Sequence, residues 1–160
     1  MAQKPAIRDA GLADVPAMVR LLSAYREKLS VWSPNFWRPS ASARIVTSAF
    51  LAAQTAKRGV IALVSDTGAG VNGFAIAAPA KVPPVFAPGG PTGLLDDFAI
   101  ADSNGWDTIG RALIDELINR ARTAEWSQLI ATSPTADRDK NALLESVGLA
   151  PTSQWWVRQL

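Results

Sequence analysis

Two adjacent carboxylates, Asp96 and Asp97, stand inside an apolar stretch, Leu94 to Ile100, that runs into a polar turn and then a helical pattern. They carry weight because the chain offers few other groups for chemistry. It contains no Cys and no His. That excludes disulfides, thiolate metal sites, Cys nucleophiles, imidazole bases, serine-type triads and most zinc sites, so no metal is expected. Acid–base work falls to carboxylates, the single tyrosine Tyr25, lysines, a terminus or water.

The segment that must position the pair is LLDDFAIADSNGWDTIGRALIDELINRAR, Leu94 to Arg122. Leu94, Leu95, Phe98, Ala99 and Ile100 form an apolar strand, and Ala101 to Asp107 is turn chemistry. Ile109, Leu113, Ile114, Leu117, Ile118 and Ala121 then fall on one stripe of a helix. Thr108 or Asp107 can serve as its N-cap. A strand feeding straight into a helix start leaves backbone N–H groups pointing into open space, an anion site suited above all to phosphates.

The flanking chain supplies further elements. Pro5 to Ala10 reads as a first strand. A helix follows with Asp14 and Pro16 in its first turn and Val15, Met18, Val19, Leu22, Tyr25 and Leu29 at core spacing. Ser30 to Ser40 breaks it with two prolines and carries Trp32, Phe36 and Trp37. A second helix spans roughly Ala41 to Ala56. Gly59 to Val64 and Val71 to Ala78 read as a hairpin around the turn DTGAG. Pro79 to Pro91 cannot form a central strand or helix interior and is either a rim loop beside the site or a surface connection. Gln128 to Thr132 is another strand, Pro134 a breaker, Asp139 to Val147 a short helix stopped by Gly148, and Trp155-Trp156-Val157 a last strand.

Residues 98–114, FAIADSNGWDTIGRALI, resemble the acyl-CoA-binding segment of the GNAT N-acyltransferase superfamily, in which an apolar strand ends in a loop of form Gln/Arg-x-x-Gly-x-Gly/Ala before a helix. Laid on this chain, the pattern puts Gly105 at the Gln/Arg position, Thr108 at the first Gly and Gly110 at the second, so the loop is degenerate. Asp96-Asp97 matches the acidic pair common before the apolar end of that strand, and Ala142 to Pro151 resembles the stretch before the final hairpin. The resemblance implies an α+β fold with a central, mostly antiparallel sheet of six to seven strands flanked by about four helices. It implies acetyl-CoA, or another acyl-CoA, as co-substrate, with main-chain contacts from Phe98 and Ile100. A phosphate cradle would run through Trp106, Asp107, Thr108, Ile109, Gly110 and Arg111, with Arg111 its one nearby cation. Asp96 is implied as general base; if alternation holds it shares a face with Phe98 and Ile100, and burial would raise its pKa. Asp97 would point the other way. Trp32, Phe36 and Trp37 either wall the acceptor pocket or pack beneath their loop. The tyrosine that the family often places near the start of its last helix is absent, Leu143-Leu144 standing there.

Length and charge bound the rest. The 160 residues suit one domain, 1–160, with a real core. A net charge of +2 from 16 basic and 14 acidic residues is a near balance rather than a basic stripe, so nucleic acid is not an expected partner. No apolar run approaches a membrane span, and MAQKPAIRDAG does not read as a signal peptide, which makes the cytoplasm the default compartment. The leading reading is an N-acetyltransferase acting on an amine of a small molecule or peptide. The alternative is a catalytically inactive GNAT-fold module that binds CoA as a regulator or serves protein interaction, the latter as a homodimer with Trp155 and Trp156 in its seam.

Overall fold

The computed structural model describes residues 5–160. The first four residues, part of the N-terminal stretch read above as other than a signal peptide, lie outside the described residues. β1 (Ala6–Asp9) leads into α1 (Val15–Trp32), with Pro16 in its first turn. α1 runs through Ser30, where the sequence suggested a break, because the first proline that disfavours helix is Pro34. α2 (Ala43–Ala56) follows, then the hairpin of β2 (Ile61–Asp66) and β3 (Val71–Ala80), and β4 (Thr92–Ile100). α3 (Arg111–Thr123), β5 (Gln128–Ala131) and α4 (Arg138–Ser146) complete the order. Gly148, at φ 90°, ends α4 in the left-handed region as expected. No described helix is long and apolar enough to cross a membrane.

Among the described residues the strands form one open mixed sheet of five, in the order β1-β2-β3-β4-β5. The pairings of β1 through β4 are antiparallel and that of β4 with β5 is parallel. This corrects the expectation of six to seven mostly antiparallel strands. The expected strand at Trp155-Trp156-Val157 does not form: residues 149–160 have no regular structure, and Trp155 and Trp156 are 83% and 89% exposed. The edge strand β5 is 4 residues long and gives a further strand little ladder to pair with. The proline-rich stretch resolves as a surface connection, although β3 first runs on through Pro79 and Ala80, which pair with Gly93 and Thr92.

Alternation along the strands builds two cores. Val64, Phe74, Ile76 and Ala99 face α1 and α2, meeting Met18, Leu22 and Leu51. Leu63, Ala75, Leu95, Phe98 and Ile100 face α3 and α4, meeting Leu113, Leu117 and Leu143. Leu95 and Phe98 are three residues apart and should lie on opposite faces. A bulge reconciles them: Ile76 pairs with Asp97 and Ala77 with Leu95, so Asp96 is an extra residue and the register shifts by one.

Gly93 of β4 packs against the Trp126 ring, and a β-carbon there would lie 2.0 Å from its Cζ3. Gly93→Ala should therefore destabilise by about 1–3 kcal/mol, a drop of several degrees in thermal midpoint for a chain of this size. An unchanged midpoint in a calorimetric scan would contradict this packing.

Candidate active site

The site begins where β4 and β5 part. Thr132, just past β5, donates its N–H to the Leu95 carbonyl at 3.0 Å, and the parallel ladder ends there. Alternate residues of a strand face the same neighbour, so the next donor in line is Pro134, which has no N–H. On the other side, Ala101 donates to the Asn72 carbonyl at 2.8 Å, which fixes the phase of the β3–β4 ladder. Asp97 and Ala99 are thus bonded to β3. Phe98 and Ile100 turn their N–H and C=O groups toward the parted side. Among the described residues neither of those two N–H groups makes a hydrogen bond.

The Phe98 carbonyl has a partner. Lys140, in the first turn of α4, is 2% exposed, and its Nζ donates to that oxygen at 3.3 Å. The same ammonium lies 3.5 Å from the Tyr25 hydroxyl and 4.8, 5.6 and 5.8 Å from the ring centres of Tyr25, Phe98 and Trp106. Asp137 caps α4 by accepting the Lys140 N–H at 3.3 Å, and its second oxygen accepts the Tyr25 hydroxyl at 2.8 Å. One strand edge, one helix start and one α1 side chain therefore converge on a buried amine.

Burial sets the proton affinities. It pushes the Lys140 ammonium down to about 8, against the pull of Asp137, Asp96 and Asp97. Burial, and then the charge of Asp96, lifts the Asp97 carboxyl to about 6, while Arg26 and Lys140 hold it back. Burial and Asp137 push the Tyr25 hydroxyl up, so it stays a donor. Beside this cluster opens a cavity of about 320 Å³ lined by Tyr25, Trp32, Ile100, Ser103, Trp106 and Asp137, together with the exposed charges Lys28, Arg138 and Asp139. The Ser133 hydroxyl, just past β5, is buried without a partner among the described residues. The arrangement can bond an extended, amide-bearing ligand along β4, beside a carboxyl that titrates near neutrality.

No protein-family model matches the chain, and no curated protein does. Solved structures do match. The BH1408 protein of Bacillus halodurans, as a tetramutant, superimposes with a TM-score of 0.82 at 15% identity, over 97% of this chain and 99% of that one. A ribosomal-protein-alanine N-acetyltransferase from Brucella melitensis biovar Abortus 2308 matches with a TM-score of 0.68 at 22% identity, over 98% and 99%. A predicted acetyltransferase from Clostridium acetobutylicum, solved with acetyl-CoA, matches with a TM-score of 0.70 at 15% identity, over 97% and 96%. This is the GNAT fold. At these identities the likeness is one of architecture, so each residue has to be placed on its own geometry.

On this GNAT fold the residues expected to act are dispersed. Phe98 and Ile100 present their main chain to the parted edge, as described. Asp96 is exposed rather than buried, because it is the bulge residue; its Oδ1 accepts the Thr132 hydroxyl at 2.6 Å. The half-buried carboxyl with a raised pKa is that of Asp97. Trp106 to Gly110 form one π-helical turn ahead of α3. Trp106 is buried edge-on to Phe98 at 5.0 Å, and Gly110 is pressed between Trp106 and Leu143. Ile109 packs over Gly73. Asp107 and Thr108 are exposed, and neither caps a helix as expected; the Thr108 hydroxyl donates back to the Gly105 carbonyl at 3.3 Å. The capping carboxylate is Asp102, which accepts the Asn104 N–H at 3.0 Å, because the buried Trp106 starts the helical turn earlier than the apolar stripe indicates. Arg111 donates to the Ser146 hydroxyl at 2.6 Å instead of standing free. Trp32 reaches the cavity, edge-on to Tyr25 at 6.5 Å, whereas Phe36 meets both Trp37 and Trp155 edge-on, at 4.5 and 6.1 Å.

Sequence reasoning passed over Lys140, which read only as part of a short helix, and Asp137, which read as loop, and took Tyr25 for core. The available signal was Pro134, which had to end β5 and expose its neighbour's carbonyls.

The Asp97 shift has a stability consequence. Its native pKa of about 6 exceeds the ordinary 3.8. Between those values the native state keeps a proton that the unfolded chain has lost, so stability falls as pH rises through the window, by on the order of 2–3 kcal/mol. Asp97→Asn should match the wild type at pH 3.5 and exceed it at pH 7 in urea denaturation. Equal pH slopes for the two proteins would contradict the described environment of Asp97.

Proposed function

We propose that the chain is an acyl-CoA-dependent N-acyltransferase, moving an acyl group, acetyl foremost, to an amine of a small molecule or peptide by direct attack. The observation that supports this is the parted edge of β4, where the N–H groups of Phe98 and Ile100 and the Ile100 carbonyl face away from β3 beside a cavity. The arm of CoA that bears the thioester is built of amides and can lie on such an edge as a short added strand. The unpartnered Ser133 hydroxyl supports the same fit. Lys28 and Arg138 supply cations for the phosphates, with amides at the start of the turn from Trp106 to Gly110. A neighbour of the same fold solved with acetyl-CoA adds support by analogy.

The bound thioester supplies the activated acyl group. The chain's own residues do the rest. Holding the acceptor nitrogen against it contributes most, since positioning can lower such a barrier by roughly 7–11 kcal/mol. Asp97 takes the base role that the family resemblance implied for Asp96: its carboxyl, raised to about 6, is ionised at neutral pH and still basic enough to accept the proton of the incoming amine. Asp96 holds Thr132 and adds the charge that lifts Asp97. Trp32 borders the acceptor's entrance. The leaving sulfur takes its proton from water or from Ser133.

Calorimetric titration with acetyl-CoA, followed by thiol release over a panel of amines, tests the reading. The chain has no Cys, so any free thiol belongs to CoA. Saturable binding and amine-dependent thiol release are expected. Asp97→Asn should keep binding and lose about 10²–10⁴-fold in turnover, while Asp96→Asn loses much less. No binding at millimolar acetyl-CoA would overturn the reading, and full turnover in Asp97→Asn would remove Asp97 as base.

A further inference from the structure

We propose that Lys140 is itself an acyl acceptor: a thioester laid along the parted edge of β4 transfers its acyl group to the Lys140 amine, making this buried lysine a self-modification site. The inference rests on the acyl-CoA reading of that edge and goes beyond it.

Three observations lead to it. Lys140 Nζ bonds the Phe98 carbonyl, one of the main-chain groups that the parted edge turns outward. A ligand bonded to the N–H groups of that edge lies beside the carbonyl that the amine holds. The amine lies behind the cavity wall, 3.5 Å from the hydroxyl of Tyr25, a residue that lines the cavity. At 2% exposure and against three aromatic rings it has little hydration to lose before it attacks.

The groups facing it are Tyr25 from α1, Asp96 and Asp97 from β4, and Asp137 at the cap of α4, with Arg26 beyond Asp97. Burial outweighs the carboxylates, so a sizeable neutral fraction exists near pH 8. The neutral Nζ lone pair forms a bond to the thioester carbonyl carbon. The C–S bond breaks with its electron pair on sulfur. The proton lost from nitrogen ends on the departing thiolate, giving an acyl-lysine and free CoA thiol. The product keeps one N–H for the Phe98 carbonyl and loses the positive charge that faces Asp96, Asp97 and Asp137.

The test is incubation of the full chain with acetyl-CoA at pH 8, read by intact mass and peptide mapping, with calorimetric binding measured in parallel. Acetyl phosphate serves as a reagent that needs no cleft. The expected result is one acetyl group on Lys140, formed at least about tenfold faster than on the exposed Lys28, Lys57 and Lys81, and not formed there by acetyl phosphate. Its rate should level off above about pH 8, following the lowered Lys140 pKa, whereas exposed lysines continue to rise. Lys140→Arg should lose the adduct and keep its circular dichroism spectrum. Binding of acetyl-CoA without a Lys140 adduct overturns this inference and leaves the acyl-CoA reading standing. Labelling of Lys140 no faster than the exposed lysines, or equally by acetyl phosphate, also overturns it. Absence of both binding and adduct overturns both.

Discussion

A single missing hydrogen-bond donor shapes the functional half of this molecule. β5 reaches Pro134 where it would next donate to β4, and proline has no N–H to give. The two strands separate beyond Leu95, and the bulge at Asp96 widens the separation from the other side. A buried carbonyl without a donor is costly. The chain answers with Lys140, whose ammonium reaches the Phe98 oxygen from α4. The cluster around it follows from that choice: Asp137 and Tyr25 position the lysine, and three rings enclose it.

The electrostatics of the cleft follow from the same geometry. Lys140, Asp97 and Tyr25 are all taken out of water within a small volume, and burial is the first cause of the shift at each. The result is a carboxyl raised to about 6 and an amine lowered to about 8. An exposed surface would hold neither, because water would level both toward their ordinary values. Strand separation thus leaves main-chain groups of β4 without a strand partner beside the same buried cluster whose side chains are shifted.

Much of the architecture was legible in the residues. The helical stripes of α1, α2 and α3, the hairpin at DTGAG and the Gly148 stop are local patterns, and the structure places them within a few residues of where periodicity puts them. What was not legible depended on partners distant in sequence. The bulge at Asp96 comes from pairing with β3, and no alternation rule along β4 alone reveals it; for that reason the buried carboxyl is Asp97. Trp155-Trp156-Val157 has strong strand propensity, but propensity without a neighbouring edge makes no strand. Lys140 reads as an ordinary surface lysine at a helix start, and its burial is created by Tyr25, Phe98 and Trp106 from three other segments. Pro134 was readable as a breaker, yet its effect on the next strand appears only once β4 and β5 are known to be neighbours.

The central claim is that one edge of β4 is free to pair with a ligand while the other is locked to β3. Residue-resolved amide hydrogen exchange, with and without acetyl-CoA, tests it most directly. The account predicts an alternation: the Phe98 and Ile100 amides exchange faster than those of Asp97, Ala99 and Ala101 in the free protein, and slow selectively when acetyl-CoA is added. Uniform protection along 97–101, or no response of Phe98 and Ile100 to saturating ligand, would contradict it.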